Sequence, residues 1–183
     1  KIRFDHSTNL IVKMMEFIQQ IQVWTRGELE QGKWMLSISV LLLPLLFLLL
    51  KSENTLARGM VIPLSILFLM IAGYGSYLII VRTEYSKQIE NQFQLNAEQT
   101  IERQYQKATK DEKDFRLLKG IWATMAVVSI LLCFFTKEYY RGLSLGLIVM
   151  FVGLLITDTF LHNRLNEYRN ALQGHYDKVK LLE

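Results

Sequence analysis

Four long runs of apolar residues, almost free of charge, constrain the fold of this 183-residue chain more than any other feature. Together with Trp34 as an interfacial anchor of the first run, they cover residues 34–50, 60–81, 117–135 and 143–161. The only charged residues within them are Lys119 and Asp158. A helix that crosses a bilayer needs about 20 predominantly apolar residues. The runs therefore predict an all-α integral membrane protein with four transmembrane helices, whose main surroundings are the lipid bilayer.

The polar segments between the runs predict how these spans are paired. The links at 51–58 and 136–141 are so short that the spans on either side must be antiparallel neighbours. The predicted organisation has five parts, in chain order: an amphipathic N-terminal helix (1–33), a first transmembrane hairpin (34–81), a charged helical connector (82–116), a second transmembrane hairpin (117–161) and an amphipathic C-terminal helix (162–183).

The three polar parts have the periodicity of helices that extend the spans. Apolar residues recur at helical spacing in the first and last parts, at Leu10, Met14, Phe17, Ile21 and Trp24, and at Leu165, Tyr168, Leu172, Tyr176 and Val179. The connector contains neither Pro nor Gly and is rich in Gln, Glu, Lys and Arg, which are good helix formers. We expect it to form two helical extensions that meet at a bend near Lys107–Asp114.

The distribution of Lys and Arg predicts the orientation in the membrane. Segments 1–33, 82–119 and 162–183 contain 5, 8 and 4 of these residues, whereas each short link contains 2. This excess favours a cytoplasmic location for both termini and for the connector, and the bacterial inner membrane is the expected location. Basic residues are interleaved with acidic ones along the chain, so the modest net charge of +4 gives little support for a nucleic-acid partner.

The two halves of the chain align when the residue numbers are offset by 83. Arg58-Gly59 then matches Arg141-Gly142, and Glu84-Tyr85 matches Glu167-Tyr168. These polar matches lie at both ends of the second span of each half, which favours an internal repeat over chance matches between two similar topologies. Each half would enter the membrane in the same direction, so the repeat is predicted to be parallel.

Asp158 is the sharpest candidate for a functional residue, because a carboxylate inside a span is costly. Thr157 and Thr159 flank it, and Lys119 lies at a similar predicted depth in the third span. An ion pair between Lys119 and Asp158, or extension of both side chains to the headgroups, would give them a purely structural role. A proton or cation site and a contact with a partner helix are the alternatives.

A second feature of the spans is a stretch of small residues. Ala72, Gly73 and Gly75 let another helix approach closely, either within the bundle or in an oligomer.

The chain carries no recognisable catalytic, metal or cofactor motif, so neither an enzyme nor a cofactor is expected. Its single cysteine, Cys133, is expected to be a packing residue.

The long charged helices instead favour a membrane-embedded interaction protein with a cytoplasmic docking surface. It would be a subunit or scaffold of an envelope complex, or a membrane-resident inhibitor of the immunity type. A protein partner or a homo-oligomer is implied. The alternative is a small oligomeric channel or carrier.

Overall fold

Four long α-helices account for nearly all of the computed structural model, which describes the backbone of residues 2–180 and the side chains of residues 15–177 and 180. The helices are α1 (Ile2–Lys51), α2 (Thr55–Leu95), α3 (Ala97–Phe135) and α4 (Glu138–Lys180). Each of the four is long and apolar enough to cross a membrane. The predicted all-α class and the four apolar helices are therefore confirmed, and they indicate an integral membrane protein.

The helices are much longer than a bilayer requires. With its 41 residues, α2 extends over about 60 Å, whereas the hydrocarbon core of a bilayer is about 30 Å thick. Each apolar run therefore continues, without a break in the helix, into a polar segment. The predicted positions Leu10, Met14 and Val179 lie outside the described side chains, and residues 181–183 lie outside the described backbone.

A single residue, Asn96, separates α2 from α3, and the bend predicted near residues 107–114 is wrong. Asn96 has an extended backbone, with φ −154° and ψ 97°. Its N–H donates to the carbonyl oxygen of Gln92 at 3.0 Å, and its side-chain oxygen accepts from the N–H of Gln99 at 3.0 Å. Asparagine satisfies a free N–H in this way at many helix starts. One residue thus ends α2 and starts α3, and residues 107–114 lie inside α3.

The central pair of the structure is α2 and α4. Along its length α1 packs on α2, and α3 packs on α4, while the contacts of α1 with α4 and of α2 with α3 are much less extensive. Residues 52–54 connect α1 to α2, and residues 136–137 connect α3 to α4.

Two separate hydrophobic cores divide the structure along its long axis. One lies between the apolar runs and includes Leu64, Leu67 and Met150. The other lies between the polar segments 15–33, 82–116 and 162–177, and includes Phe17 and Leu172. We call the second unit the polar-end bundle. All four helices contribute to its core, so the charged segments form one packed unit and not four independent extensions.

Candidate functional site

A buried ion pair joins α1 to α2 at the base of the polar-end bundle. The guanidinium of Arg82 faces the carboxylate of Glu28, and both side chains are almost fully buried. The same guanidinium lies 4.4 Å from the ring centroid of Trp24 and 4.6 Å from that of Tyr85. Burial raises the pKa of Glu28, while the charge of Arg82 acts in the opposite direction. The pair therefore has both an opposite charge and aromatic faces to offset the cost of desolvation.

Next to this pair, one side chain from each helix contributes to a central cluster, in which those of α2, α3 and α4 are joined by hydrogen bonds. The hydroxyl groups of Tyr85 and Tyr168 donate to the same side-chain oxygen of Gln104, at 2.8 and 3.3 Å. Trp24 stacks on Tyr168 with the ring centroids 4.4 Å apart. Burial raises the pKa of Tyr168, which keeps its hydroxyl protonated as a donor. The cluster brings α1, α2, α3 and α4 together at one point.

Glu112 is the centre of a second charged cluster, between α3 and α4. Arg169 donates to one of its carboxylate oxygens at 2.9 Å, and Arg116 pairs with the other. His162 also faces this second oxygen, at 3.7 Å from its Nε2 atom. The hydrogen bond from Arg116 holds the pKa of Glu112 below its usual range. Glu112 is therefore an acceptor for cations from both helices.

The direct ion pair predicted between Lys119 and Asp158 does not form. Asp158 accepts a hydrogen bond from the indole N–H of Trp122 at 2.7 Å, whereas the ammonium of Lys119 contacts Nδ1 of His162. The contact with Lys119 requires an unprotonated Nδ1, so the histidine proton lies on Nε2, the atom that faces Glu112. Asp158 and Lys119 are thus near each other in the fold, but each has a different partner.

Thr157 and Thr159 do not contribute their hydroxyl groups to Asp158. Each hydroxyl donates to a carbonyl of its own helix, that of Gly153 at 3.0 Å and that of Leu155 at 2.7 Å. Other hydroxyl groups of the apolar runs do the same, namely those of Ser37, Ser39, Ser76, Thr124, Ser129 and Ser144. These polar side chains are therefore satisfied within single helices.

The predicted stretch of small residues has two different environments. A Cβ atom on Gly75 would lie 3.0 Å from the carbonyl oxygen of Gly32, so this glycine lets α1 and α2 approach closely. A Cβ on Gly73 would meet no atom within 4 Å, and Ala72 is half-buried. Of the three residues, Gly75 is the one in a close helix contact.

A close approach between α2 and α4 lies at Gly59 and Gly142, beside the two arginines singled out by the repeat. A Cβ on Gly59 would collide with the backbone of α4 at Tyr139, and a Cβ on Gly142 would collide with the backbone of α2 at Leu56. Arg58 and Arg141 themselves are exposed, and Arg58 donates to the carbonyl oxygen of Ser52 at 3.0 Å. The glycines next to the arginines, and not the arginines, form the contact between α2 and α4.

Two clefts open on the sides of the polar-end bundle. The α1–α4 groove has a volume of about 580 Å³ and includes Val23, Trp24 and Tyr168 in its lining. The α2–α3 cleft has a volume of about 540 Å³ and reaches from the apolar run of α2, at Tyr74, to the polar-end bundle, at Lys107. Among the described residues, no group of three or more His, Cys, Asp or Glu side chains is arranged to hold a metal ion.

Sequence reasoning did not identify most of the residues that form these clusters. Gln104, Glu112, Trp122 and His162 are buried or half-buried partners whose roles depend on contacts between helices far apart in the chain. One signal was available for Gln104, because a polar residue one helical turn from Ile101 and Ala108 lies on their buried face.

The chain was also compared with known proteins, and it matches no family profile, no curated protein sequence and no solved structure.

Proposed function

We propose that this chain is a non-enzymatic, membrane-embedded interaction protein that presents a helical docking surface to a protein partner. It would act as a subunit or scaffold of an envelope complex, or as a membrane-resident inhibitor of the immunity type. The observation that supports this proposal best is the polar-end bundle, which has its own core and an open groove on its side. A protein that needed only an anchor in the membrane would not need a second packed unit of this size.

The α1–α4 groove is the surface that we propose for the partner. Its lining combines apolar residues such as Val23, which is 67% exposed, with Glu16, Gln19 and Arg164. An apolar centre with a polar rim is the usual composition of a protein interface. Val23 lies on the polar segment of α1, beyond the apolar run, so its exposure is not explained by contact with lipid.

A second proposal concerns the internal repeat and the pairing of the spans into two hairpins. Several positions that are 83 residues apart are buried in both α2 and α4: Gly59 and Gly142, Pro63 and Gly146, Leu67 and Met150, Ile71 and Leu154, Leu78 and Leu161, Tyr85 and Tyr168, and Ile89 and Leu172. The contacts are also reciprocal. Trp24 stacks on Tyr168, and Lys107, 83 residues after Trp24, lies over the ring of Tyr85. A parallel pseudo-two-fold arrangement of two hairpins accounts for both observations.

The orientation proposed for the inner membrane places the polar-end bundle in the cytoplasm, because it carries most of the Lys and Arg residues. Single cysteines at Asn54 and Glu138 should then react with an impermeant maleimide added to intact cells, and one at Gln99 should not. Cys133 is replaced by Ala in all three variants. Labelling of Gln99 alone would reverse the orientation.

The channel or carrier remains the second candidate, and the hydrogen bonds of the apolar runs favour the interaction protein over it. The hydroxyl groups of Ser76, Ser129 and Thr157 donate to carbonyls of their own helices, so these described groups do not line a polar path between helices. Purification from a mild detergent, with mass spectrometry of the eluate and conductance measurements in liposomes, distinguishes the two. A stoichiometric partner and no conductance are expected. A pure homo-oligomer that conducts ions would overturn the proposal.

A further inference from the structure

The buried imidazole of His162 lies between a cation and a carboxylate that both belong to α3. The ammonium of Lys119 donates to Nδ1, and a carboxylate oxygen of Glu112 lies 3.7 Å from Nε2. The ring of Phe115 lies beside the imidazole, with the ring centroids 6.3 Å apart. A proton on Nδ1 would remove the acceptor of Lys119 and bring two positive charges into contact. The contact between Lys119 and His162 therefore exists only while the histidine is neutral.

The charges around His162 determine what happens when it takes up a proton. On α3, Lys119 and Arg116 oppose its positive form, whereas Glu112 favours it. On α4, Arg169 is already paired with Glu112. The buried charges that α1 and α2 contribute at the base of the polar-end bundle, Glu28 and Arg82, pair with each other. Burial and the charge of Lys119 together lower the pKa of His162, so the ring is neutral at neutral pH and becomes charged only in acid.

Lys119 has a second acceptor near His162. Asp158 lies one helical turn before His162 on α4, and the charges of Lys119 and Asp158 already act on each other. This carboxylate accepts a hydrogen bond from Trp122, and it has the capacity to accept further donors. The four-carbon stem of a lysine is flexible, so the ammonium can exchange one acceptor for the other. Lys119 would therefore not be left unpaired if it moved away from His162.

The network lies in the interface that holds α3 in place. Along its length α3 packs on α4, and its contacts with α2 are much less extensive. In the internal repeat proposed above, the positions 83 residues before those of Glu112, Lys119, Asp158 and His162 are apolar: Leu29, Leu36, Gly75 and Ile79. A protonation that rearranges the α3–α4 contact would thus have no equivalent between α1 and α2.

We propose that His162 is a pH-sensitive switch in the contact between α3 and α4. In the neutral form, Nδ1 of the imidazole holds Lys119. When Nδ1 takes up a proton from water, Lys119 leaves and donates to Asp158, while the imidazolium donates through Nε2 to Glu112. Acidification thus exchanges one set of contacts between α3 and α4 for another at the end of the apolar runs.

Nitrogen NMR of the full chain, labelled in its histidines and held in phosphatidylcholine nanodiscs, tests the starting state. His162→Asn identifies the signals of His162 among those of the other histidines. At neutral pH we expect an unprotonated Nδ1 and a protonated Nε2. On acidification both nitrogens should become protonated, with a midpoint at lower pH than that of a histidine in a model peptide. A proton on Nδ1 at neutral pH would contradict the proposal.

Fluorine NMR of protein containing fluorotryptophan follows the movement of Lys119, because Trp122 is bonded to the carboxylate that receives it. The Trp122 resonance should shift on acidification with the same midpoint as the His162 signals. Lys119→Met should abolish this shift and move the midpoint of His162 to higher pH, because the repulsion is removed. Lys113→Met, the same change at an exposed lysine of α3, should alter neither.

His162→Asn separates the switch from direct protonation of Asp158. Asparagine has an oxygen near the position of Nδ1 but takes up no proton, so the Trp122 resonance should not shift over the same range of pH. A shift that persists in folded His162→Asn protein would overturn the proposal, and so would an unchanged midpoint of His162 in Lys119→Met. Because the sample contains no other protein, the result is independent of whether a partner binds the α1–α4 groove.

Discussion

Tyr85 and Tyr168, 83 residues apart in the sequence, donate their hydroxyl protons to the same side-chain oxygen of Gln104. This shared acceptor lies where the four helices of the polar-end bundle meet, between the two helices of the central pair. The rigidity of the bundle, and with it the shape of the α1–α4 groove, depends on such contacts between helices.

Replacing Gln104 by Leu should destabilise the protein, because two buried hydroxyl groups lose their acceptor. The expected loss is about 2 kcal/mol in the free energy of unfolding, measured in detergent. Adding Tyr85→Phe and Tyr168→Phe to this variant removes the unsatisfied donors and should recover most of the loss. A triple variant no more stable than Gln104→Leu alone would show that the hydroxyl groups are not what Gln104 stabilises.

The contact between α2 and α4 at Gly142 should not tolerate a side chain. A Cβ at this position collides with the backbone of Leu56, which cannot move aside as a side chain could. We expect Gly142→Ala to destabilise the protein by about 1–3 kcal/mol. Gly120→Ala is the control, since a Cβ there meets no atom within 4 Å, and it should be neutral or stabilising by up to about 1 kcal/mol. Equal effects of the two substitutions would contradict the close approach of α2 and α4.

Glu112 should make the stability of the protein depend on acid pH. Its pKa lies below the usual range when folded, so it stabilises the fold above the ordinary pKa of a glutamate, and this contribution is lost as the pH falls. The pKa of Glu28 is raised, so its contribution to the change of stability with pH has the opposite sign. The effect of Glu112 is therefore isolated by comparing the wild type with a variant at that position. The stability difference between wild type and Glu112→Gln should therefore shrink on acidification. Glu102→Gln, which removes an acid of the same helix without a described ion pair, is the control, and a difference that shrinks equally for both variants would contradict the role of the ion pairs of Glu112.

Asp158 should have a structural role through Trp122. Asp158→Asn keeps an oxygen that can accept from the indole, so its cost should be small, on the order of 1 kcal/mol. Expression and partner binding should be unchanged. If the well-folded variant instead lost a transport activity that the wild type shows in liposomes, Asp158 would be a coupling carboxylate, and the carrier would be favoured.

The sequence predicted those parts of the structure that depend on local composition. The apolar runs and the absence of Pro and Gly from the connector correctly indicated four long helices. The end of α2 was misplaced because Asn96 lies in a segment with strong helix formers on both sides. Its capping role depends on two hydrogen bonds, one from its backbone N–H to Gln92 and one to its side-chain oxygen from Gln99.

The partners within the polar clusters could not be predicted in the same way. Lys119 and Asp158 were paired because they are the only charges within the apolar runs, but Trp122 and His162 compete for them. Trp122 lies about one helical turn from Lys119 on α3, and His162 lies about one turn from Asp158 on α4. The rotation of each helix about its own axis therefore decides which of these side chains face each other. That rotation is set by packing between α3 and α4, which sequence periodicity does not determine.

The most direct test of the central claim is photo-crosslinking from the α1–α4 groove in intact cells. A benzoylphenylalanine at Val23 should give one specific protein adduct of defined mass, and the same residue at Lys87, which is exposed on α2 and does not line the groove, should not. Identification of the same protein in the Val23 adduct and in the detergent eluate is the predicted result. Crosslinks from Val23 only to lipid or to a second copy of this chain, with conductance in liposomes, would contradict the account.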